Sequence, residues 1–331
     1  MKALLSKIAG GPELLTLDDI PDPSAGPGEI VIAVKAIGVN FPDLLIIADK
    51  YQFKPGRPFS PGTEVAGFVD SLGADVTGFA VGDRVMAMVG WGGMAEKVVA
   101  RVGNCSRIPA AMDFADASAF LVTYGTSYYA LRDRAGLKAG ETLLILGAAG
   151  GVGLAAIELG KAMGARVVAA VSTAEKLAVA QAVGADAGIV YARGALDKTA
   201  QRALTDRFKE VCRGGPAVIV DTVGGDYAEA ALRSIAWNGR FLVIGFPAGI
   251  PSIPLNLPLL KECDILGVFW GKAIELDPAR HQQSVGELLE LHLAGKIKPR
   301  IHRRYTLEEG AAALTALASR GVAGKLVVTV G

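Results

Sequence analysis

The 331 residues predict an α/β protein of two domains, a doubly wound parallel sheet joined to a β-rich, partly open barrel. Three observations carry that prediction. Short apolar strands broken by Gly and Pro turns fill the first third of the chain. From about residue 113 to residue 271, near-continuous Val/Ile/Leu runs alternate with helical stretches, the pattern of strands covered by helices on both faces. Between the first such strand and its helix lies the glycine-rich heptad Gly147-Ala148-Ala149-Gly150-Gly151-Val152-Gly153.

In chain order, EIVIAVKAIGVN shows apolar alternation around Val31 and Ala33, and Pro27-Gly28, Pro55-Gly56 and Pro61-Gly62 mark turns. VAGFVDSLG, DRVMAMV and AEKVVA continue as short strands. Asp113 to Leu131 is expected to be helical, interrupted at Thr123-Tyr124-Gly125. The alternating series follows: strand 142–147, helix to Met163, strand RVVAAV, helix Glu175–Val183, strand GIVY and helix Leu196–Cys212. It closes with AVIVD, helix Tyr227–Ala236, RFLVIG and DILGVF. After Gly271 come a helix near 278–294, IKPRIHRRYTL, a helix from Leu307 to Ser319 and the strand KLVVTV. The expected domains are 1–122 with 272–331, and 123–271, the chain leaving the barrel and returning to it.

Hydrophobic residues make up 51% and charged residues 20%, so a disordered chain is excluded. Net charge is +1, without a run of one sign, which argues against a nucleic-acid partner. Mean hydropathy is +0.38, yet no apolar run is long enough to span a bilayer, so no membrane partner is expected. The N-terminal stretch lacks the long apolar segment of a secretory signal, and the expected location is the cytoplasm. Cys105, Cys212 and Cys263 form no C-x-x-C pair and read as small apolar side chains.

The glycine-rich heptad carries the chemistry. A tight turn, close approach of backbone to a pyrophosphate and close helix-on-strand packing all require small residues there. The helix start then offers free N–H groups and a positive dipole end, with Gly150, Gly151 and Val152 the candidate pyrophosphate contacts. At the tip of the second strand, NAD enzymes place a carboxylate for the ribose hydroxyls. Here Ser172 and Lys176 stand there, a hydroxyl and a cation, which suits a 2′-phosphate and implies NADPH. Glu175 beside them argues the other way.

GVNFPD (38–43), SPGTEVAGFV (60–69), VGDRVMA (81–87), the phosphate loop, DTVGG (221–225) and the closing GKLVVTV together resemble the medium-chain dehydrogenase/reductase superfamily, in its zinc-free quinone oxidoreductase branch. The resemblance runs essentially end to end. It implies a Rossmann domain, a GroES-like barrel domain and NADPH-dependent hydride transfer to a quinone. Where zinc-dependent relatives carry Cys and His ligands, this chain has Asn40 and Thr63, so no metal is expected. The resemblance further implies that Asn40, Asp43 and Tyr51 line the substrate side of the cleft, with Asn40 a candidate carbonyl donor and Tyr51 a candidate acid. It places Thr123, Phe246, Phe269 and Trp270 near the nicotinamide. Tyr191 and Arg320 are to join Lys176 around the 2′-phosphate. A homodimer paired through the edge strand DILGVF is expected. Reduction of a 2-alkenal or enoyl thioester stays open as an alternative, as does, from another class, an NADPH-binding crystallin-like or RNA-binding protein.

Overall fold

In the computed structural model, which describes residues 1–331, the chain forms two compact units. Unit 1 comprises Met1–Val122 and Lys298–Gly331, and unit 2 comprises Thr123–Ile297.

Unit 1 begins with the antiparallel ribbon β1 (Lys2–Ser6) and β2 (Leu15–Asp19). The long strand β3 (Glu29–Val39) then leads into a short helix, α1 (Phe41–Ile47). Next come β4 (Glu64–Leu72), β5 (Arg84–Met88), β6 (Lys97–Arg101), β7 (Cys105–Arg107) and α2 (Phe114–Ser118).

Unit 2 opens on α3 (Thr126–Tyr128), flanked by π-helical turns at Leu121–Gly125 and Tyr129–Arg134. The alternating series follows as β8 (Thr142–Leu146), α4 (Gly151–Ala162), β9 (Arg166–Val171), α5 (Ala174–Ala182), β10 (Ala187–Val190) and α6 (Lys198–Val211). It continues as β11 (Val218–Asp221), α7 (Asp226–Ser234), β12 (Arg240–Val243), α8 (Asn256–Lys261) and β13 (Asp264–Gly267). Helices α9 (Trp270–Leu276) and α10 (Pro278–Leu293) close the unit. The chain returns to unit 1 as β14 (Ile301–Thr306), α11 (Gly310–Ala318) and β15 (Lys325–Thr329).

Strand β3 organises unit 1. One of its edges pairs with β4; the other pairs with β6 along Glu29–Ala33 and then with β15 along Ala36–Val39. Its eleven residues are therefore enclosed along both edges, and all but three are buried. The resulting sheet runs β14-β15-β3-β4-β5-β7, antiparallel except for β14 against β15. Ile32, Ile37, Val65, Met94, Leu314 and Leu326 fill the core beside it.

In unit 2 the all-parallel sheet has the order β10-β9-β8-β11-β12-β13. That order reverses between β8 and β11, the switch point where doubly wound sheets bind ligands beyond their strand ends. Leu144, Val168, Phe208, Ile219 and Leu232 belong to its core. None of the helices is long and apolar enough to cross a membrane.

One expectation needs correction. Residues 272–297 belong to unit 2, not to the barrel domain. Helix α10 is held there by side chains: Glu287 accepts from Tyr128 at 2.9 Å and pairs with Arg132, and Arg280 reaches Asp133 at 2.5 Å. An amphipathic pattern shows which face of a helix is buried, not which unit receives it. Helices α1, α8 and α9 had no signal in the sequence reading; each is seven residues or shorter, below the window in which helical periodicity shows.

Candidate active site

The strongest sequence motif sits at the switch point. Gly147 follows β8 with φ of +71°, and a Cβ on it would run into the Thr222 hydroxyl. Gly150 is the N-cap of α4, with extended backbone and no side chain capping the helix. The first amides of this twelve-residue helix are therefore left to a ligand. A Cβ on Gly153 would meet the Gly147 carbonyl and Ala148 backbone, so helix and turn lie in direct backbone contact. Beside the loop, DTVGG forms a tight turn in which Asp221 accepts from the amides of Val223 and Gly224 at 2.8 and 2.9 Å. Burial pushes the Asp221 carboxyl up to about 6, against the pull of those two amides.

The tips of β9 and β10 lie side by side, since Val190 pairs with Val171 and the Tyr191 amide donates to the Val171 carbonyl at 2.9 Å. Four polar residues meet there. Thr173 caps α5 by accepting from the Lys176 amide at 3.2 Å, which places half-buried Lys176 in the first turn. Burial, then the nearby Arg193 guanidinium, lowers the Lys176 ammonium from its ordinary range. Tyr191 is buried against Tyr227, ring centroids 4.8 Å apart. Burial chiefly raises its phenol, while the Gly147 amide pulls the other way and so ties this ring to the phosphate loop. Ser172 is half-buried at the end of β9. Glu175 is exposed, held ionised by its own amide and the Thr173 hydroxyl. Two cations close enough to repel, beside two hydroxyls, make a dianion site that fits a 2′-phosphate. Arg193 was missed in the sequence because it lies past the end of β10 in a polar loop, with nothing local to distinguish it.

Unit 1 holds a second cluster, built where β3, α1, β4 and β15 meet. Asn40 is the N-cap of α1 and Asp43 its third residue. Asp43 Oδ2 accepts from the Asn40 amide at 2.7 Å, and its Oδ1 from the Thr63 hydroxyl at 2.6 Å. The Lys325 ammonium donates to Val39 O, Asn40 Oδ1 and Glu64 Oε1 at 3.0, 2.6 and 2.7 Å. Asn40 Nδ2 donates to Gly38 O and Glu64 Oε1, both at 3.0 Å, and Glu64 Oε2 accepts from the Val122 amide at 2.9 Å. Asp43 is 0% exposed, Glu64 1%, Lys325 5%, Asn40 6% and Thr63 9%. Burial raises the Asp43 carboxyl to about 6; the Thr63 hydroxyl, Asn40 amide and Lys325 charge oppose this, and the Glu64 charge adds to it. Lys325 and Glu64 were missed in the sequence because their pairing is a contact across 261 residues.

This geometry bears on two of the assigned roles. Both amide protons and the carbonyl of Asn40 are engaged within the cluster, so a donor role toward an acceptor would require Asn40 to release Gly38 or Glu64. Asp43, fully enclosed, does not line a substrate surface itself. Tyr51 stays half-buried on the segment after α1, ring against Phe53 at 5.9 Å, its phenol raised by burial and by the charge of Asp43.

The remaining candidates are scattered. Thr123 is buried in the π-helical turn. Phe246 and Phe269 are 40% and 47% exposed on segments following β12 and β13. Trp270 is buried, edge-on to His281 at 5.6 Å and filling the space over Gly125 where a Cβ would stand. Its ring serves the packing of α9 on α10 and the π-turn. Arg320 is exposed in unit 1, in left-handed conformation directly after α11. No group of three or more His, Cys, Asp or Glu side chains gathers in a metal-binding arrangement.

A parallel six-stranded nucleotide-binding sheet with a bare glycine cradle, joined to a β-rich unit containing a buried acid–amide–lysine cluster, defines a two-domain dehydrogenase/reductase. Residues 26–110 match the alcohol dehydrogenase GroES-like domain and residues 151–290 the zinc-binding dehydrogenase domain. The chain belongs to the quinone oxidoreductase branch of the medium-chain dehydrogenase/reductase superfamily. It is 38% identical over 323 residues to a quinone oxidoreductase-like protein 2 homolog of Nematostella vectensis, covering 96% of this chain and 86% of the relative. It is 35% identical over 323 residues to a quinone oxidoreductase of Pseudomonas aeruginosa, covering 96% of each. Among solved structures, the quinone oxidoreductase of Thermus thermophilus, also solved in complex with NADPH, superposes with a TM-score of 0.85 at 34% identity, over 99% of this chain and 100% of that one. A mycobacterial protein complexed with NADPH gives 0.92 at 28% identity, over 99% and 100%.

Proposed function

We propose that this chain is a cytoplasmic, zinc-free NADPH:quinone oxidoreductase acting as a homodimer. The observation that carries the cofactor is the meeting of the uncapped α4 start with Lys176, Arg193, Tyr191 and Ser172 beyond the same strand ends. The pyrophosphate would rest on the amides of Gly150, Gly151 and Val152, and the 2′-phosphate between the two cations. The bound nicotinamide supplies hydride, and the protein supplies position, exclusion of water and a proton. Tyr51, whose phenol stays protonated at neutral pH, is a hydrogen-bond donor toward the acceptor. Supporting the zinc-free reading, Asn40 and Thr63 turn their polar atoms to Lys325, Glu64 and Asp43. A quinone becomes a stabilised phenolate-type anion on hydride transfer, which suits a site without imidazole or thiolate acids.

The test is NADPH consumption by purified protein against a panel of quinones, alkenals and enoyl thioesters, with elemental analysis of the same sample. Quinone turnover without stoichiometric zinc is expected. Selective turnover of alkenals, or zinc at one per chain, would replace this reading.

A further inference from the structure

The two cations at the nucleotide tip differ in how they are held. The backbone of Lys176 is fixed in the first turn of α5 by the Thr173 cap. Arg193 is exposed on the loop after β10, beside Gly194 with φ of +108°. Like charges this close repel, and on a loose loop Arg193 would swing away from Lys176. We propose that Tyr227 is a positioning residue for recognition of the cofactor's 2′-phosphate, its hydroxyl anchoring the loop so that Arg193 stays beside Lys176. The inference rests on the 2′-phosphate site proposed above, and every residue in it belongs to unit 2.

The Tyr227 hydroxyl donates to the carbonyls of Ala192 and Gly194, at 2.9 and 3.0 Å. One phenol proton is thus shared across the turn that has Arg193 at its centre. Asp226 adds a second anchor, its Oδ2 accepting from the Leu196 amide at 2.8 Å. Both anchors come from the first turn of α7, and the start of that helix is itself held. Asp221 accepts from the amides of Val223 and Gly224, and the Gly225 amide donates to Gly249 O at 2.7 Å. The loop bearing Arg193 is thereby tied to the turn after β11, the strand next to β8 at the switch point.

The Tyr227 ring is 5% exposed and packs on Tyr191. A phenylalanine would fill that core space as well, so what the hydroxyl adds is its hold on the loop. An arginine on a fixed backbone loses less freedom when it closes on a phosphate, and the anchor strengthens binding without touching the ligand. AMP, which has no 2′-phosphate, gains nothing from it.

The test is calorimetric titration of the full chain with adenosine 2′,5′-bisphosphate and with AMP, melting temperature measured alongside. Tyr227→Phe is expected to weaken the bisphosphate roughly fivefold and to leave AMP unchanged. Arg193→Ala is expected to weaken the bisphosphate roughly tenfold or more, and adding Tyr227→Phe to it to cost nothing further. Wild-type affinity in Tyr227→Phe, an equal loss for AMP, or full additivity with Arg193→Ala overturns the anchor while leaving the 2′-phosphate site standing. A wild type that binds AMP as tightly as the bisphosphate overturns both. If Tyr227→Phe does not fold, Asp226→Ala, which releases the Leu196 amide, decides: a loss confined to the bisphosphate is expected, and an equal loss for AMP or no loss overturns the anchor.

Discussion

Single residues here act through the charges that surround them. Lys325 donates to three acceptors in a site only 5% exposed, and Glu64 beside it is 1% exposed. Replacing a buried ion pair outright can be neutral, but removing one partner leaves the other charge buried and unpaired. Lys325→Met is therefore expected to destabilise unit 1 by about 3–5 kcal/mol in urea unfolding. A change below about 1 kcal/mol would show that the buried ion pair contributes little to the stability of unit 1. At the opposite end of the chemistry, Lys176 and Arg193 repel each other until an anion lies between them. Lys176→Glu is expected to raise KM for NADPH several-fold with little effect on KM for NADH. Equal effects on both cofactors would remove Lys176 from the 2′-phosphate site.

At the scale of elements, the contact of α9 with α10 contains an unusual group. His281 is 5% exposed, packs edge-on to Trp270, and neither of its ring nitrogens has a hydrogen-bond partner. Burial lowers its pKa below the ordinary 6.5. The unfolded chain therefore takes up a proton near pH 6.5 that the folded chain refuses, and stability falls as pH drops below that value. His281→Leu is expected to remove this part of the acid limb and to raise stability at neutral pH by about 1–3 kcal/mol, since two unsatisfied polar atoms disappear. Melting curves at about pH 5.5 and about pH 8 on both proteins check it; parallel losses on acidification would place the proton uptake elsewhere.

At the scale of the whole molecule, the sheet of unit 2 ends on β13, which pairs only with β12. Ile265 on that strand is 40% exposed, and Leu255, Leu259 and Leu260 nearby in sequence are 81%, 78% and 64% exposed. An open apolar edge invites pairing with another strand, and the exposed leucines add surface that water disfavours. Pairing of β13 with its copy would close that edge. Light scattering is expected to give a dimer, and Ile265→Lys to shift it toward monomer; a wild-type monomer at micromolar concentration would remove this proposal.

The sequence by itself determined the sheet of unit 2 and its phosphate loop. Parallel strands buried on both faces need continuous apolar runs such as TLLIL and RVVAAV, and backbone contact with a ligand needs the glycines of the heptad, so both are written locally. The nucleotide tip was half legible. Ser172 and Lys176 follow their strand directly, whereas Arg193 gains meaning only because β10 lies against β9. Only the tertiary structure decided the chemistry of unit 1. Asn40 reads as a free amide in GVNFPD, and its engagement by a lysine 285 residues away rests on β15 closing against β3. The fate of residues 272–297 was likewise set by ion pairs to the 121–134 stretch. Burial and charge pairing are sums over neighbours brought together by folding, and a local pattern does not contain them.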